Sequence, residues 1–156
     1  MKLSNIQVLL LRLVIAGLFL NAGMGKFQEN WLTNSDHLLE SLNNYHQRAA
    51  GAQLSYLDHV ALPLASLWAK LITLGELCFA ISLFLGLLVR LSSAVAIFMV
   101  INLHAANGTL FSWNFFGSPW AGLLVVGLLV LFLARAGRWA GLDALLATSN
   151  PSGKLW

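Results

Sequence analysis

Charge is what this sequence has least of. Only 10% of its 156 residues are Asp, Glu, Lys or Arg, against about 25% in an ordinary soluble domain. That shortage, together with 58% hydrophobic side chains, excludes a water-soluble globular domain and places the chain in the membrane class. The net charge of +3 is scattered rather than gathered into a basic run, which excludes nucleic acid as a partner. The single cysteine, Cys78, admits neither an intrachain disulfide nor a Cys-x-x-Cys redox motif. It reads as a small buried hydrophobe. His104 is the only one of the four histidines within an apolar stretch. A bis-histidine haem therefore lacks its second ligand, and no His/Cys/Asp group has metal-ligand spacing. No nucleotide- or flavin-binding glycine fingerprint is present, and the 13 glycines read as helix packing and turns.

What the sequence has is apolar chain in lengths that suit a bilayer, which a helix crosses in about 20 residues. Four stretches are candidates: Ile6–Met24, Leu64–Val89, Leu91–Ala106 and Phe115–Ala134, of which the third, short at 16 residues, is thinly spanning or extended by Asn107-Gly108-Thr109. They predict one all-α domain over residues 1–156, an integral-membrane four-helix bundle. Only Arg90 separates the second stretch from the third, which predicts a tight hairpin, and Pro63 opens the second. Lys2 before an apolar run has the outline of a cleaved signal peptide. Arg12 interrupts that run and Asn21 to Lys26 makes a poor cleavage site, so the first stretch is expected to stay as a helix.

Orientation follows from the distribution of positive charge. Lys2, Arg90, Arg135, Arg138 and Lys154 fall on one side, against Lys26 and Arg48 on the other. Glu29, Asp36, Glu40 and Asp58 lie with the second group. Both termini are therefore expected in the cytoplasm, with the chain multi-pass in a bacterial or archaeal cytoplasmic (inner) membrane. Trp31, Trp68, Trp113 and Trp120 mark the outer boundary, and Trp139 and Trp156 the inner one. The external segment, Phe27–Leu62, is too long for a bare turn and is expected to be partly helical. Asn34, Ser35 or Asp36 can cap a helix in which Leu38, Leu39, Leu42 and Tyr45 recur at amphipathic spacing. That face suits either the membrane surface or the mouth of the bundle.

Function should lie where polar groups enter the apolar stretches. Glu76 stands near mid-bilayer, where an unpaired carboxylate costs about 2.5 kcal/mol or more. Asn102 reaches nearly the same level, and Arg12 lies lower. Arg12 is expected to reach up to Glu76 as an ion pair that orients two helices, or else to snorkel down to the headgroups. Asn102 and His104 are about 200° apart around their helix. Asn102 is therefore expected beside Glu76, with His104 at a seam or the outer mouth. Lys70 lies nearer the outer face and is expected to snorkel outward. Gly17, Asn21 and Gly25 form a small-polar stripe that suits close helix packing. A carboxylate at mid-bilayer can take up and release protons, since desolvation and nearby charge together set its protonation.

Three stretches carry a family resemblance. Leu11-Arg12-Leu13-Val14-Ile15-Ala16-Gly17-Leu18-Phe19 leads into Gly23-Met24-Gly25-Lys26-Phe27. Gly75-Glu76 is followed by Leu83-Phe84-Leu85-Gly86-Leu87-Leu88-Val89-Arg90-Leu91. The third is Ala136-Gly137-Arg138-Trp139-Ala140-Gly141-Leu142-Asp143. Together they resemble the DoxX family, which includes the DoxD subunit of thiosulfate:quinone oxidoreductase. The resemblance implies a four-helix membrane bundle linked to quinone-dependent oxidoreduction. On that reading the chain is an oxidoreductase subunit that oxidises a small, sulfur-containing anion and passes electrons to membrane quinone. Glu76 would be its catalytic group. Arg12, Asn102, His104, Lys26 and Lys70 would be the quinone- or substrate-binding candidates, with Lys26 attracting the anion. Lacking haem, flavin, metal and thiol pair, the chain would depend on direct transfer, a partner subunit or a homo-oligomer. Two other classes use the same residues: a non-catalytic scaffold docked through the external segment, and a small proton-coupled transporter built on Glu76.

Overall fold

Three long apolar helices form the frame of this chain. The computed structural model describes residues 5–117, 119–149 and 153. Lys2, Lys154, Trp156 and the side chain of Trp120, all used in the orientation argument, lie outside the described residues. Helix α1 runs Asn5–Gln28 over 24 residues, and α4 runs Ala65–Leu85 over 21. Helix α5 runs Val89–Ala106 over 18 residues. At a rise of 1.5 Å per residue these are about 36, 31 and 27 Å long, and all three are long and apolar enough to cross a membrane.

The fourth expected span is different. Instead of one helix over Phe115–Ala134, the chain forms α6 (Asn114–Gly117), a π-helical turn (Pro119–Leu123) and an 11-residue α7 (Leu124–Ala134). Pro119, which has no N–H to give, opens the π-helical turn. Gly122 then lets the turn press on Phe116, whose Cα would lie 3.1 Å from any added Cβ. The hairpin also differs from expectation. Its turn is Gly86-Leu87-Leu88, and Arg90 sits inside α5 with its guanidinium 4.7 Å from the Phe132 ring centroid. Gly86 ends α4 in the left-handed region at φ 68°, where an added Cβ would lie 2.6 Å from both Arg12 Nη1 and Gly141 Cα. Pro63 falls in the turn before α4, whose first residue is Ala65.

The most extensive helix contact is between antiparallel α1 and α4. Gly23 lies against Leu77 and Arg12 against Gly86, while Phe19 meets Phe79 edge-on with ring centroids 5.5 Å apart. Helix α5 packs on α4 and α7, and α7 returns to α1, around a core that includes Ile15, Phe19, Ile72, Leu83, Ala96, Leu128 and Leu131. The opposite faces expose Val14, Ile81, Phe84, Phe98 and Leu133, as lipid-facing helices do. Cys78 is on such an outer face and not buried. The Gly17-Asn21-Gly25 stripe also makes no close packing: Asn21 is exposed, and neither glycine has a neighbour within 4 Å of an added Cβ. The packing glycine is Gly23, offset by helical phase.

The segment between α1 and α4 caps one end of this assembly. In α2 (Asp36–His46), which opens where Asn34 Oδ1 accepts the Asp36 N–H, Leu38 and Leu42 are buried and Leu39 and Tyr45 pack beside them. Helix α3 (Ala52–Tyr56) runs into a π-helical turn, Leu57–Ala61. Gln53 Nε2 donates to Ala106 O at 3.0 Å, satisfying a carbonyl at the end of α5, and Trp68 Nε1 donates to Val60 O.

At the hairpin end, α8 (Asp143–Ser149) begins with a carboxylate that is 1% exposed. Asp143 accepts the Leu88 and Val89 amides at 2.6 and 3.0 Å, supplying the missing cap of α5. This offsets the left-handed backbone of Leu88, φ 53°, which costs a branched side chain about 1–2 kcal/mol. Asp143→Ala is expected to strand those amides and destabilise the protein by about 2 kcal/mol or more, with a smaller loss for Asp143→Asn. Thermal unfolding in detergent measures both; wild-type behaviour of Asp143→Ala would contradict this assignment.

Candidate functional site

A carboxylate in an apolar interior needs a partner that the fold delivers. The α1–α4 register sets Glu76 opposite Ala22-Gly23-Met24, about ten residues or about 15 Å along α1 from Arg12. Arg12 therefore does not pair with Glu76. Lys26, one turn beyond, does: its Nζ lies 2.9 Å from Oε1 and 2.8 Å from Oε2. Glu76 is only 5% exposed, while the Lys26 side chain keeps 21%. The Lys26 ammonium also stands 5.6 Å from the centroid of Trp31, whose indole donates to Glu29. Lys26 is thus committed to Glu76 while keeping partial exposure.

Beside the pair is a cavity of about 180 Å³, lined by Phe19, Ala22, Glu76, Met99, Val100, Leu103 and His104, with Leu18 and Leu124. The phase argument that only one of Asn102 and His104 can face Glu76 holds, but the structure selects His104. Met99 and Val100 are the buried face of α5, and His104 follows Val100 by one turn. Asn102 turns under the cap instead. Its Oδ1 accepts Tyr56 Oη at 2.8 Å and its Nδ2 donates to Phe98 O. It lines a separate, tighter space with Leu38, Leu42 and Trp68, divided from the first by Met99 and Leu103. Burial pushes the Tyr56 phenol up from its ordinary range.

Hydrogen-bond direction fixes the His104 tautomer. Asn107 Oδ1 accepts the Thr109 N–H at 2.9 Å, so the Thr109 hydroxyl, 2.6 Å from that same oxygen, must donate to it. With its only proton spent, Thr109 Oγ1 accepts from His104 Nδ1 at 2.6 Å. The neutral ring therefore carries its proton on Nδ1. Phe115 stands against it in a T-shaped ring contact, with centroids 5.5 Å apart.

Arg12 has a different task at the hairpin end. It is 1% exposed and donates from Nη1 to Ala136 O at 2.8 Å and Trp139 O at 3.4 Å, and from Nη2 to Ala140 O at 2.9 Å. Asp143 acts on it electrostatically. Lys70 is exposed on α4, outside the cavity. Among the described residues no group of His, Cys, Asp and Glu could hold a metal. Sequence reasoning missed the Lys26 partnership and the role of Asp143. Both residues stood in the quoted stretches, but their partners lie 50 and about 55 residues away in sequence.

The fold and this site define a small helical membrane protein in which a histidine and the carboxylate of an ion pair line one pocket. A family model described as DoxX matches residues 7–113, and the chain belongs to the DoxX family. The matched segment contains Arg12, Lys26, Glu76 and His104 and ends before Asp143. No curated protein and no solved structure matches the chain.

Removing one member of the pair leaves the other charge stranded. Lys26→Met is expected to cost about 2–3 kcal/mol, below the range for fully buried pairs because the lysine is partly exposed. The double variant Lys26→Met/Glu76→Leu should recover most of that loss. Equilibrium unfolding in mixed micelles gives the coupling; strictly additive losses would show that the pair contributes nothing.

Proposed function

We propose that this protein is a membrane subunit of a quinone-linked oxidoreductase, and that the cavity between Glu76 and His104 receives the quinone head. The observation that carries this reading is an apolar pocket lined by both an imidazole and a carboxylate that is paired with Lys26. An apolar ring with two carbonyls fits such walls, and few other membrane solutes need protons delivered there. Reduction of a quinone consumes two electrons and two protons. Glu76 would pass one proton to one quinone oxygen while Lys26 holds the charge of the resulting carboxylate, and water would supply the second proton to the other oxygen. His104, whose Nδ1 proton is given to Thr109, would accept the resulting hydroxyl at Nε2. Electrons would come from the substrate directly or through a partner subunit. Arg12, Asn102 and Lys70 have no part in this site.

The membrane arrangement we propose has α1, α4, α5 and the α6–α7 segment crossing the bilayer, with both termini in the cytoplasm. Supporting it, Arg90, Arg135 and Arg138 cluster at the hairpin end, whereas Glu29, Asp36, Glu40 and Asp58 lie in or beside the cap. This suits the cytoplasmic membrane of a bacterium or archaeon, where quinone is available.

Titration of the purified protein with a short-chain ubiquinone analogue tests the reading. Glu76→Gln is expected to weaken quinone binding about tenfold, and His104→Ala to weaken binding of the reduced quinol form by a similar factor, as loss of a strong buried hydrogen bond does. Asn102→Ala should bind like wild type. Absence of binding to wild type, or unchanged binding by Glu76→Gln, would overturn the proposal.

A further inference from the structure

The hairpin end holds a second cavity with a different chemistry. Helix α7 ends in Leu133-Ala134, and Arg135 then turns left-handed at φ 48°, its N–H bonded to Leu131 O. The three carbonyl contacts from Arg12 hold the following loop, including Trp139, against the start of α1. The result is a recess of about 480 Å³ between the beginning of α1 and the end of α7. Its lining is graded. Val8, Val130 and Leu133 supply apolar wall toward the middle of the helices, and Asn5, Arg135 and Trp139 form a polar rim at their ends. Among the described lining residues Arg135 carries the only charge, and no acid opposes it.

We infer that this recess binds an anionic phospholipid, with the phosphate at Arg135 and an acyl chain along Val8, Val130 and Leu133. A soluble anion would gain from Arg135 but leave the apolar wall unused. A zwitterionic lipid would bring its own cation to a rim that already has one. Trp139 stands where aromatic side chains serve best, between hydrocarbon and headgroup. The binding is independent of what occupies the Glu76 cavity.

The test compares lipid retention by native mass spectrometry and thermal shift for protein in phosphatidylcholine nanodiscs, with and without phosphatidylglycerol. Phosphatidylglycerol should be retained and should raise the unfolding temperature above that in phosphatidylcholine alone. Inorganic phosphate added to protein in neutral detergent should do neither. Arg135→Asn is the variant of choice, because asparagine tolerates the left-handed backbone there. It should retain phosphatidylglycerol about fivefold less, the effect of one basic residue at an anionic headgroup. Arg138→Gln, whose guanidinium bonds Gly153 O, should leave retention unchanged. Equal retention of the two lipids by wild type, a comparison that needs no variant, would overturn the inference. So would the same response to inorganic phosphate, or an equal loss in Arg138→Gln.

Discussion

The Lys26–Glu76 ion pair is the contact on which the rest of the structure turns, because it couples a charge problem to a helix register. A carboxylate among apolar helices is tolerable only when neutralised at close range, and one ammonium bound by both oxygens does that. Meeting this condition helps set how α1 lies along α4. Gly23 then falls on Leu77, Phe19 on Phe79 and Arg12 on the Gly86 turn. The same register leaves space beside Glu76 that α5 lines with Met99, Val100 and His104. Site and packing are consequences of one alignment.

The hairpin end solves the complementary problem of unpaired backbone. Helices that end near a bilayer core leave amides and carbonyls with little access to water. Here two charged side chains satisfy them: Asp143 takes the amides that open α5, and Arg12 takes the carbonyls of the loop after α7. Each charge is spent on several dipoles instead of one counter-ion. Arg12, Gly86 and Gly141 come so close that a Cβ on either glycine would collide with the guanidinium. The three family-like stretches of the sequence therefore meet at a single junction.

Much of the helical layout was legible because hydropathy and length act locally. α1, α4 and α5 lie within a few residues of the stretches read from sequence. The amphipathic spacing of Leu38 and Leu42 likewise marked the face that α2 buries. The fourth segment was read as one continuous helix, whereas α6, a π-helical turn and α7 share it. Site membership was less legible, since it depends on register and helix rotation that no local pattern encodes. Depth counting put Arg12 and Glu76 within reach of each other. The true neighbour, Lys26, looked like a boundary residue. Helical phase correctly separated Asn102 from His104 but could not say which of them turned inward.

The central claim is that the space between Glu76 and His104 receives a quinone head, and photolabelling tests it most directly. An azido-quinone irradiated with the protein in membranes, followed by peptide mapping, reads out the position of the ring. Adducts within Leu18–Ala22 and Met99–His104, displaced by unlabelled quinone, are the predicted result. Adducts confined to Leu38–Leu42 under the cap, or to the lipid-facing residues Leu13, Leu20, Ile81 and Phe84, would contradict the account.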